Sequence, residues 1–239
     1  MLELRNISKH YARGDLPAVN DISFSVAAGE LISLVGESGS GKTTLLRLIA
    51  GLEKPTTGTI HCEGRCIAGP KDWLGAAKRC VGLVFQGGAL FPHMTAEENI
   101  GYALGRTSKE TIRKTAAELL ERVHLPGMGK RYPHEFSGGE AQRVALARTL
   151  AAKPKIILLD EPYSNLDVVT TAKLREEIRS ILVAEKMTGI LVTHDPADAR
   201  HFGNRVAILR NGKLEQIGSL DSVTKAPSCD YCRLLINGS

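Results

Sequence analysis

The sequence has no long run of apolar residues. Its strongest run is Ile156-Ile157-Leu158-Leu159, whereas a helix needs about 18 apolar residues or more to span a bilayer. The N-terminal segment alternates apolar and polar residues and has neither the continuous apolar stretch nor the small-residue cleavage site of a secretory signal. We therefore expect a soluble, intracellular protein that would reach a membrane only through a partner.

Cysteine and net charge are also low. Five cysteines, an odd number, in 239 residues indicate free thiols in a reducing compartment. The chain has 31 Lys and Arg against 26 Asp and Glu, a net charge of +5. This weak excess suits an anionic ligand but is too diffuse to indicate nucleic-acid binding. The 43% hydrophobic and 24% charged residues exclude a disordered or collagen-like chain.

Short strand-like segments alternate with helical ones, which predicts an α/β domain with a largely parallel core sheet. Buried strands are predicted at 31–35, 81–85, 156–159 and 189–193. Helices are predicted at 43–50 and 167–186, the second with Leu174, Ile178, Ile181 and Leu182 on one face.

The other segments differ from this alternating pattern. Residues 95–152 contain almost nothing strand-like and are predicted to form a helical insertion, with helices at 111–123 and 138–152. The N-terminal strands and the 59–67 region are expected to form an antiparallel β layer. Near the C-terminus, 205–218 predicts a hairpin that turns at Asn211-Gly212, followed by a helix from about residue 220.

Residues 36–43 match the pattern G-x-x-x-x-G-K-[ST] between a predicted strand and a predicted helix. Glycines let backbone N–H groups face phosphate oxygens, and the helix N-terminus adds positive potential. Lys42 can reach the β- and γ-phosphates, and the Thr43 hydroxyl can ligate Mg²⁺. The segment therefore predicts a nucleoside triphosphate site, with the candidate residues Gly36, Glu37, Ser38, Gly39, Ser40, Gly41, Lys42, Thr43 and Thr44.

Two carboxylates end the predicted strand at 156–159. Asp160 is placed to hold Mg²⁺, directly or through water, and Glu161 is a candidate general base for an attacking water. Together with the glycine-rich loop, the pair favours hydrolysis over phosphoryl transfer to a second substrate. The catalytic candidates are thus Lys42 and Glu161, and the metal candidates include Thr43 and Asp160.

Residues 136–143, Phe-Ser-Gly-Gly-Glu-Ala-Gln-Arg, resemble the LSGGQ signature of ATP-binding cassette (ABC) ATPases. Tyr11 resembles the aromatic residue of the family's A-loop, and Gln86 resembles the glutamine of its Q-loop. Residues 164–167 resemble the D-loop, and His194 resembles the histidine of the H-loop. The resemblance covers about residues 2–225, and seven motifs occur in the family's order. The sequence is accordingly identified as a member of the ABC ATPases.

The resemblance implies roles for the remaining site residues. Tyr11 would stack on adenine, Gln86 would contact Mg²⁺ or the attacking water, and His194 would bind the γ-phosphate and orient Glu161. Ser137, Gly138, Gly139 and Glu140 begin a predicted helix, a second N-terminus suited to anions. In the family this second N-terminus comes from the partner subunit, as does a contact from Asp167. A homodimer with two ATP sites is therefore expected.

Two positions depart from the family signature, since Phe136 replaces the usual Leu and Glu140 replaces the usual Gln. Phe136 should still pack as an apolar anchor. Glu140 either weakens ATP affinity or helps to position the neighbouring helix. Elsewhere, Cys229 and Cys232 form a C-x-x-C without a second pair at zinc-finger spacing. They are expected to be packing residues or part of a disordered tail rather than a metal or redox site.

The resemblance implies an ATP-hydrolysing subunit of an ABC importer, with ATP and Mg²⁺ as cofactors, lying in the cytoplasm on the inner face of the membrane. Its partners would be a second copy of itself, integral-membrane permease subunits and a solute-binding protein. Cassettes for ferric iron, polyamines or thiamine are the most similar type. We expect one domain over 1–239, with a helical subdomain at about 95–152 and a tail at 226–239. A soluble ABC ATPase of iron–sulfur assembly and an efflux-type ABC ATPase are the alternatives.

Overall fold

The computed structural model describes residues 1–11, 16–164 and 166–237. Within these residues the strands are β1 (Leu2–Lys9), β2 (Val19–Val26), β3 (Leu31–Val35), β4 (Thr57–Cys62), β5 (Arg65–Ala68), β6 (Val81–Val84), β7 (Ile156–Asp160), β8 (Thr188–Thr193), β9 (Arg205–Arg210) and β10 (Lys213–Ser219). The helices are α1 (Lys42–Ala50), α2 (Ala96–Tyr102), α3 (Lys109–Arg122), α4 (Gly138–Ala151), α5 (Val168–Ala184), α6 (Pro196–Phe202), α7 (Leu220–Lys225) and α8 (Asp230–Asn237). None of these described helices combines the length and apolar character needed to cross a membrane.

The core is a six-stranded sheet in the order β10-β9-β3-β8-β7-β6. The pairs from β9 to β6 are parallel, and β10 is antiparallel to β9. β7 and β8 are buried along almost their whole length, as expected for strands covered on both faces. The carboxyl ends of β3, β7 and β8 therefore meet at one edge of the sheet. The motifs found in the sequence come directly after these three strands.

A second sheet, in the order β2-β1-β4-β5, is antiparallel throughout. It confirms the predicted antiparallel layer. Its apolar face shares one hydrophobic core with α1 and with β3 of the parallel sheet, through residues such as Leu4, Ile60, Leu45 and Leu34. Since α1 packs against both sheets, its N-terminus is held firmly at the edge of the parallel sheet.

The segment from 95 to 152 is helical, as predicted. α2, α3 and α4 pack together in a second core, which also contains Ile157 and Leu159 of β7. Thr95 starts α2 with a capping box, in which the Glu98 amide donates to Thr95 and the Thr95 amide donates to Glu98. Such a cap satisfies two helix-end amides that would otherwise lack partners.

Two elements begin or end at other residues than the sequence predicted, because a turn or a helix cap lies at the boundary. β6 stops at Val84 because Phe85 starts a turn, its carbonyl oxygen accepting from the Gly88 amide at 3.0 Å. α5 starts at Val168 because Asp167 is its N-cap, and its residues Leu174, Ile178, Ile181 and Leu182 are all buried, as predicted.

The C-terminal part confirms the hairpin and adds a helix. Asn211 and Gly212 join β9 to β10 with φ values of +48° and +75°, the conformation that a two-residue hairpin turn of this type requires. α7 follows at the expected place. α8 was not predicted, because 226–239 was interpreted as a tail. Its Cys232 and Ile236 are buried against residues such as Val35 and Ile208 of the core sheet.

Candidate active site

The glycine-rich loop joins β3 to α1 and depends on close approaches of the backbone. A Cβ at Gly36 would lie 2.3 Å from the carbonyl oxygen of Leu209, and one at Gly41 would lie 2.3 Å from that of Ala18. Gly41 also has a φ of +100°, which disfavours any residue with a side chain. At Gly39 no described atom lies within 4 Å of a Cβ position, so the loop is open on that side.

Lys42 lies inside this loop. Its buried Nζ donates to the carbonyl oxygens of Gly36 at 2.7 Å and Glu37 at 2.9 Å. Burial lowers the pKa of this lysine, and the nearby carboxylates Glu161 and Asp160 oppose that shift. An ammonium held by carbonyl oxygens can exchange them for phosphate oxygens. The first amides of α1 lack partners within the helix. They form the positive end of the helix dipole and face the same region.

Thr43 and Asp160 bring a hydroxyl and a carboxylate together. Thr43 Oγ1 lies 3.5 Å from Asp160 Oδ1, at the end of β7. The pKa of Asp160 is raised, first by burial and then by the neighbouring carboxylate of Glu161. Among the described residues, no group of three or more His, Cys, Asp or Glu side chains could hold a metal ion. A pair of oxygen ligands beside a phosphate site fits Mg²⁺, which usually binds through one or two side chains plus phosphates and water.

Glu161 and His194 face each other across β7 and β8. Glu161 Oε2 lies 3.3 Å from His194 Nδ1, and the Glu161 amide donates to the carbonyl oxygen of Val192 at 2.9 Å. Glu161 has a φ of +44°, a left-handed conformation that is costly for a residue with a side chain. Asp160 pairs with Val192 in the adjacent strand, and this register places Glu161 and His194 at the same edge of the sheet.

The predicted signature helix starts with a capping box. The Ser137 amide donates to the Glu140 carboxylate at 2.8 Å, and the Glu140 amide donates to Ser137 Oγ at 3.3 Å. This hydrogen bond from the Ser137 amide is the main cause that lowers the pKa of Glu140. Glu140 thus positions the helix, one of the two roles expected for it. In the described part of the chain, no hydrogen bond or ion pair joins Ser137 to the glycine-rich loop.

Gly138 and Gly139 lie close to the segment that precedes α5. A Cβ at Gly138 would come 2.6 Å from Leu166 Cδ2, and one at Gly139 would come 3.2 Å from Thr170 Cγ2. Next to them, Asp167 is exposed and accepts from the amides of Val169 at 3.1 Å and Thr170 at 2.9 Å. Asn165 of the predicted D-loop lies outside the described residues.

Tyr11 and Gln86 lie at the border of the site. Tyr11 is 43% exposed, its hydroxyl donates to Glu53, and the Lys9 ammonium lies 5.1 Å from its ring centre. A ring with an exposed face remains free to stack. Gln86 is exposed and follows Phe85 in the turn after β6. Within the described segments it makes no hydrogen bond to Thr43 or Asp160.

Sequence reasoning missed a partly buried ionic network beside His194 in the chain. Arg175 of α5 donates to Asp198 at 2.5 Å and to Asp195 at 2.7 Å. Thr193 donates to Asp198 at 2.6 Å and accepts from the Asp195 amide at 3.0 Å. The network therefore holds the residues on both sides of His194. The Thr-His-Asp sequence was the only available signal for it.

Tyr231 was also missed. Its hydroxyl accepts from the Glu37 amide at 3.2 Å and donates to the Leu209 carbonyl oxygen at 3.3 Å. Glu37, a predicted phosphate-binding residue, thus directs its amide at a tyrosine of α8. No local sequence pattern links positions this far apart.

Comparison with known proteins identifies the family of this chain. The family model described as ABC transporter matches residues 19–164. The sulfate/thiosulfate import ATP-binding protein CysA of Caulobacter vibrioides is 46% identical over 236 residues, which are 96% of this chain and 68% of that protein. The Fe(3+) ions import ATP-binding protein FbpC 1 of Rhodococcus jostii is 46% identical over 227 residues, covering 95% of this chain and 64% of that protein. The chain spans about two thirds of the length of these relatives.

Solved structures confirm the predicted fold. The dimeric structure of the ATP-binding cassette MJ0796 in a post-hydrolysis state bound to ADP and Pi has a TM-score of 0.79 to this chain. It is 34% identical and covers 92% of this chain and 98% of its own. The family model spans more than half of the chain, and the curated relatives share nearly half of their aligned residues with it. This chain therefore belongs to the ABC transporter family, whose cassettes bind and hydrolyse ATP.

Proposed function

We propose that this chain is the ATP-hydrolysing subunit of an importer, and that it drives a separate membrane permease by closing and opening around ATP. One observation carries the proposal. Lys42, the Thr43–Asp160 pair and the Glu161–His194 pair all lie at the carboxyl edge of β3, β7 and β8. Phosphate binding, metal binding and proton transfer are thus available at one place.

The phosphate groups of ATP would bind at residues 36–44, where Lys42 and the first amides of α1 supply positive potential. Thr43 and Asp160 would hold Mg²⁺, with Gln86 reaching the ion after a change of conformation. When bound, the metal neutralises the charge that develops on the phosphates. Tyr11 would stack on the adenine ring.

Glu161 would accept a proton from the water that attacks the γ-phosphate. His194 keeps the Glu161 carboxylate oriented, since its Nδ1 lies 3.3 Å from Oε2, and its exposed ring can also reach the γ-phosphate. The left-handed backbone of Glu161 supports this role, because strain of this kind persists where the surrounding structure holds a side chain in one direction.

A second copy of the chain would complete each site. Ser137 has no hydrogen bond to its own phosphate loop within the described residues, so the start of α4 is free to face the γ-phosphate bound by another subunit. Gly138, Gly139 and Glu140 belong to this helix start, and Asp167 lies beside it. The dimeric state of the MJ0796 cassette supports the same arrangement here.

Residues 1–239 would form one cassette domain, with 95–152 as the helical subdomain that contacts the permease and 226–239 as its C-terminal segment. The relatives named for sulfate/thiosulfate and Fe(3+) import support an importer located on the cytoplasmic face of a membrane, working with permease subunits and a solute-binding protein. Both names refer to the import of a small inorganic ion, and ferric iron is one of the solutes expected from the sequence.

Glu161→Gln tests the proposal. The amide keeps the shape of the side chain but cannot accept the proton, so hydrolysis should fall by roughly a hundredfold or more. Removing a negative charge beside the γ-phosphate should also strengthen ATP-dependent closure. The variant should accumulate as a dimer with ATP on size-exclusion chromatography.

Glu176→Gln is the matched control, because Glu176 is an exposed carboxylate on α5. It should hydrolyse ATP at the wild-type rate and form no trapped dimer. If Glu161→Gln also hydrolysed ATP at the wild-type rate, the general base would have to be another group.

A further inference from the structure

Two cysteines that are not among the predicted site residues lie next to each other at the start of α8. Cys229 Sγ and Cys232 Sγ are 3.5 Å apart. Cys229 is partly exposed, whereas Cys232 is completely buried in the cluster that contains Val35 and Ile208. One thiol can therefore meet a reagent from solution, and the other can be reached only through the first.

The two thiols have different electrostatic surroundings. Cys229 precedes α8, and its carbonyl oxygen accepts the helix's first hydrogen bond, from the Arg233 amide at 3.1 Å. The Cys232 amide donates to the Cys229 sulfur and lowers the pKa of this thiol. Burial raises the pKa of Cys232. A stabilised, accessible thiolate beside a buried thiol is the arrangement of an attacking and a resolving cysteine.

Tyr231 connects this pair to the phosphate loop. It lies between the two cysteines in the sequence, and its hydroxyl bridges the Glu37 amide and the Leu209 carbonyl oxygen. The Arg210 guanidinium lies 4.5 Å from the centre of its ring. Any movement of the first turn of α8 therefore moves a group that is hydrogen-bonded to the loop.

We propose that Cys229 and Cys232 form a redox-active dithiol, oxidised by low-molecular-weight disulfides of the glutathione type, and that Tyr231 transmits its state to the phosphate loop. In the first step the Cys229 thiolate attacks one sulfur of the reagent and displaces the other as a thiolate. The Cys232 thiol then loses its proton and attacks the Cys229 sulfur, which releases the second thiolate. The chain is oxidised by two electrons, and the reagent is reduced to two thiols.

Closing the bond changes the position of Tyr231. The sulfur atoms must approach from 3.5 Å to about 2.05 Å. Because Cys232 is packed in the core, it stays in place, and Cys229 and the turn that includes Tyr231 move instead. The hydrogen bonds of Tyr231, at 3.2 and 3.3 Å, are near the upper limit of good geometry, so the shift breaks the contact with Glu37. Oxidation is then expected to weaken nucleotide binding, a step that rests on the proposed function.

The first experiment measures the thiol chemistry alone. The full chain carries Cys80→Ser, because the exposed Cys80 thiol would form a mixed disulfide by itself. After reduction and treatment with glutathione disulfide, the thiols of Cys229 and Cys232 should both be lost, and peptide mapping should find a bond between them. Cys232→Ser should retain glutathione on Cys229, whereas Cys229→Ser should retain none on Cys232. An unreacted Cys229, or glutathione retained on it while Cys232 is present, would overturn the proposal.

The second experiment measures the affinity for a fluorescent ATP analogue in both states. Oxidation should weaken binding by about three- to tenfold, the effect of one lost hydrogen bond. In Tyr231→Phe the two states should bind equally, because the hydroxyl is absent. Equal affinities in the Cys80→Ser chain would disprove the link through Tyr231. A chain that forms the disulfide but binds no nucleotide in either state would disprove the proposed function instead.

Discussion

Asp160 has a position that is electrostatically unfavourable for the folded protein. Its carboxylate is half-buried at the end of β7, beside the like charge of Glu161, and both effects raise its pKa. The pKa of Asp160 is therefore higher in the folded chain than in the unfolded chain. As the pH rises from the lower of these two pKa values to the higher one, Asp160 reduces the stability of the folded chain. The proposed metal would remove the penalty by neutralising the charge.

Asp160→Asn should therefore be more stable than the wild type at pH 7 in the absence of Mg²⁺ and ATP. The difference should shrink as the pH is lowered toward about 4, where aspartate takes up a proton in the unfolded chain. Denaturant unfolding at both pH values measures this. The variant should also lose most of the stabilisation that ATP and Mg²⁺ give the wild type. A variant less stable than the wild type at pH 7 would contradict this account of the pKa.

At the scale of elements, α5 and α6 are joined by the network around Arg175. Its guanidinium is 14% exposed and bridges Asp195 and Asp198, while Asp198 accepts from Thr193. Removing one member leaves buried charge without a partner, which costs far more than losing a surface ion pair. The network also fixes the turn that contains His194.

Arg175→Met keeps the apolar part of the side chain and removes the charge. It should lower the free energy of unfolding by about 3–5 kcal/mol, and ATP turnover should fall because His194 loses its support. Lys173→Met is the matched control: Lys173 is 76% exposed and pairs with Glu177 at 3.8 Å on the same helix, so its loss should cost about 1 kcal/mol or less. Thermal and denaturant unfolding compare the two variants. Similar losses in both would mean that the buried network adds no stability.

Most of the parallel sheet could be predicted from the sequence, because β3, β7 and β8 are short apolar runs that end at glycine or at polar residues. The catalytic candidates follow from the same pattern, since Glu161 and His194 come directly after strands. The capping role of Glu140 had a signal too, the S-x-x-E spacing of residues 137–140.

Contacts between distant segments could not be predicted in this way. Tyr231 reaches Glu37 only because α8 folds back on the core sheet, and no periodicity describes such a contact. The eight residues of α8 were missed because 226–239 was interpreted as a tail. An arginine on an amphipathic helix usually faces solvent, so the buried position of Arg175 depends on where α6 packs.

At the scale of the whole molecule, the proposed composite site predicts recovery of activity by mixing two inactive chains. Ser137→Arg has an intact phosphate loop, and Lys42→Ala has an intact helix start at α4. In an equal mixture about half of the dimers are mixed, and each has one complete site. Hydrolysis should therefore recover to about a quarter of the wild-type rate, measured by phosphate release.

The control mixes Lys42→Ala with the double variant Ser137→Arg, Lys42→Ala. No dimer in that mixture has a complete site, so it should stay inactive. If Ser137→Arg and Lys42→Ala together were no more active than each alone, the two motifs would act within one subunit.

The order of strands in the core sheet also has a consequence for timing during synthesis. β3 pairs with β8 and β9, which are translated about 150 and about 170 positions after it. At about 5–20 residues per second, that interval is roughly 8–30 s. During this interval β3 and the phosphate loop leave the ribosome, but neither edge of β3 has its partner strand. Edges of this kind pair readily with other chains. Among the described strands, β3 therefore waits longest for its partners while the protein is made, although both of its edges are covered in the finished protein.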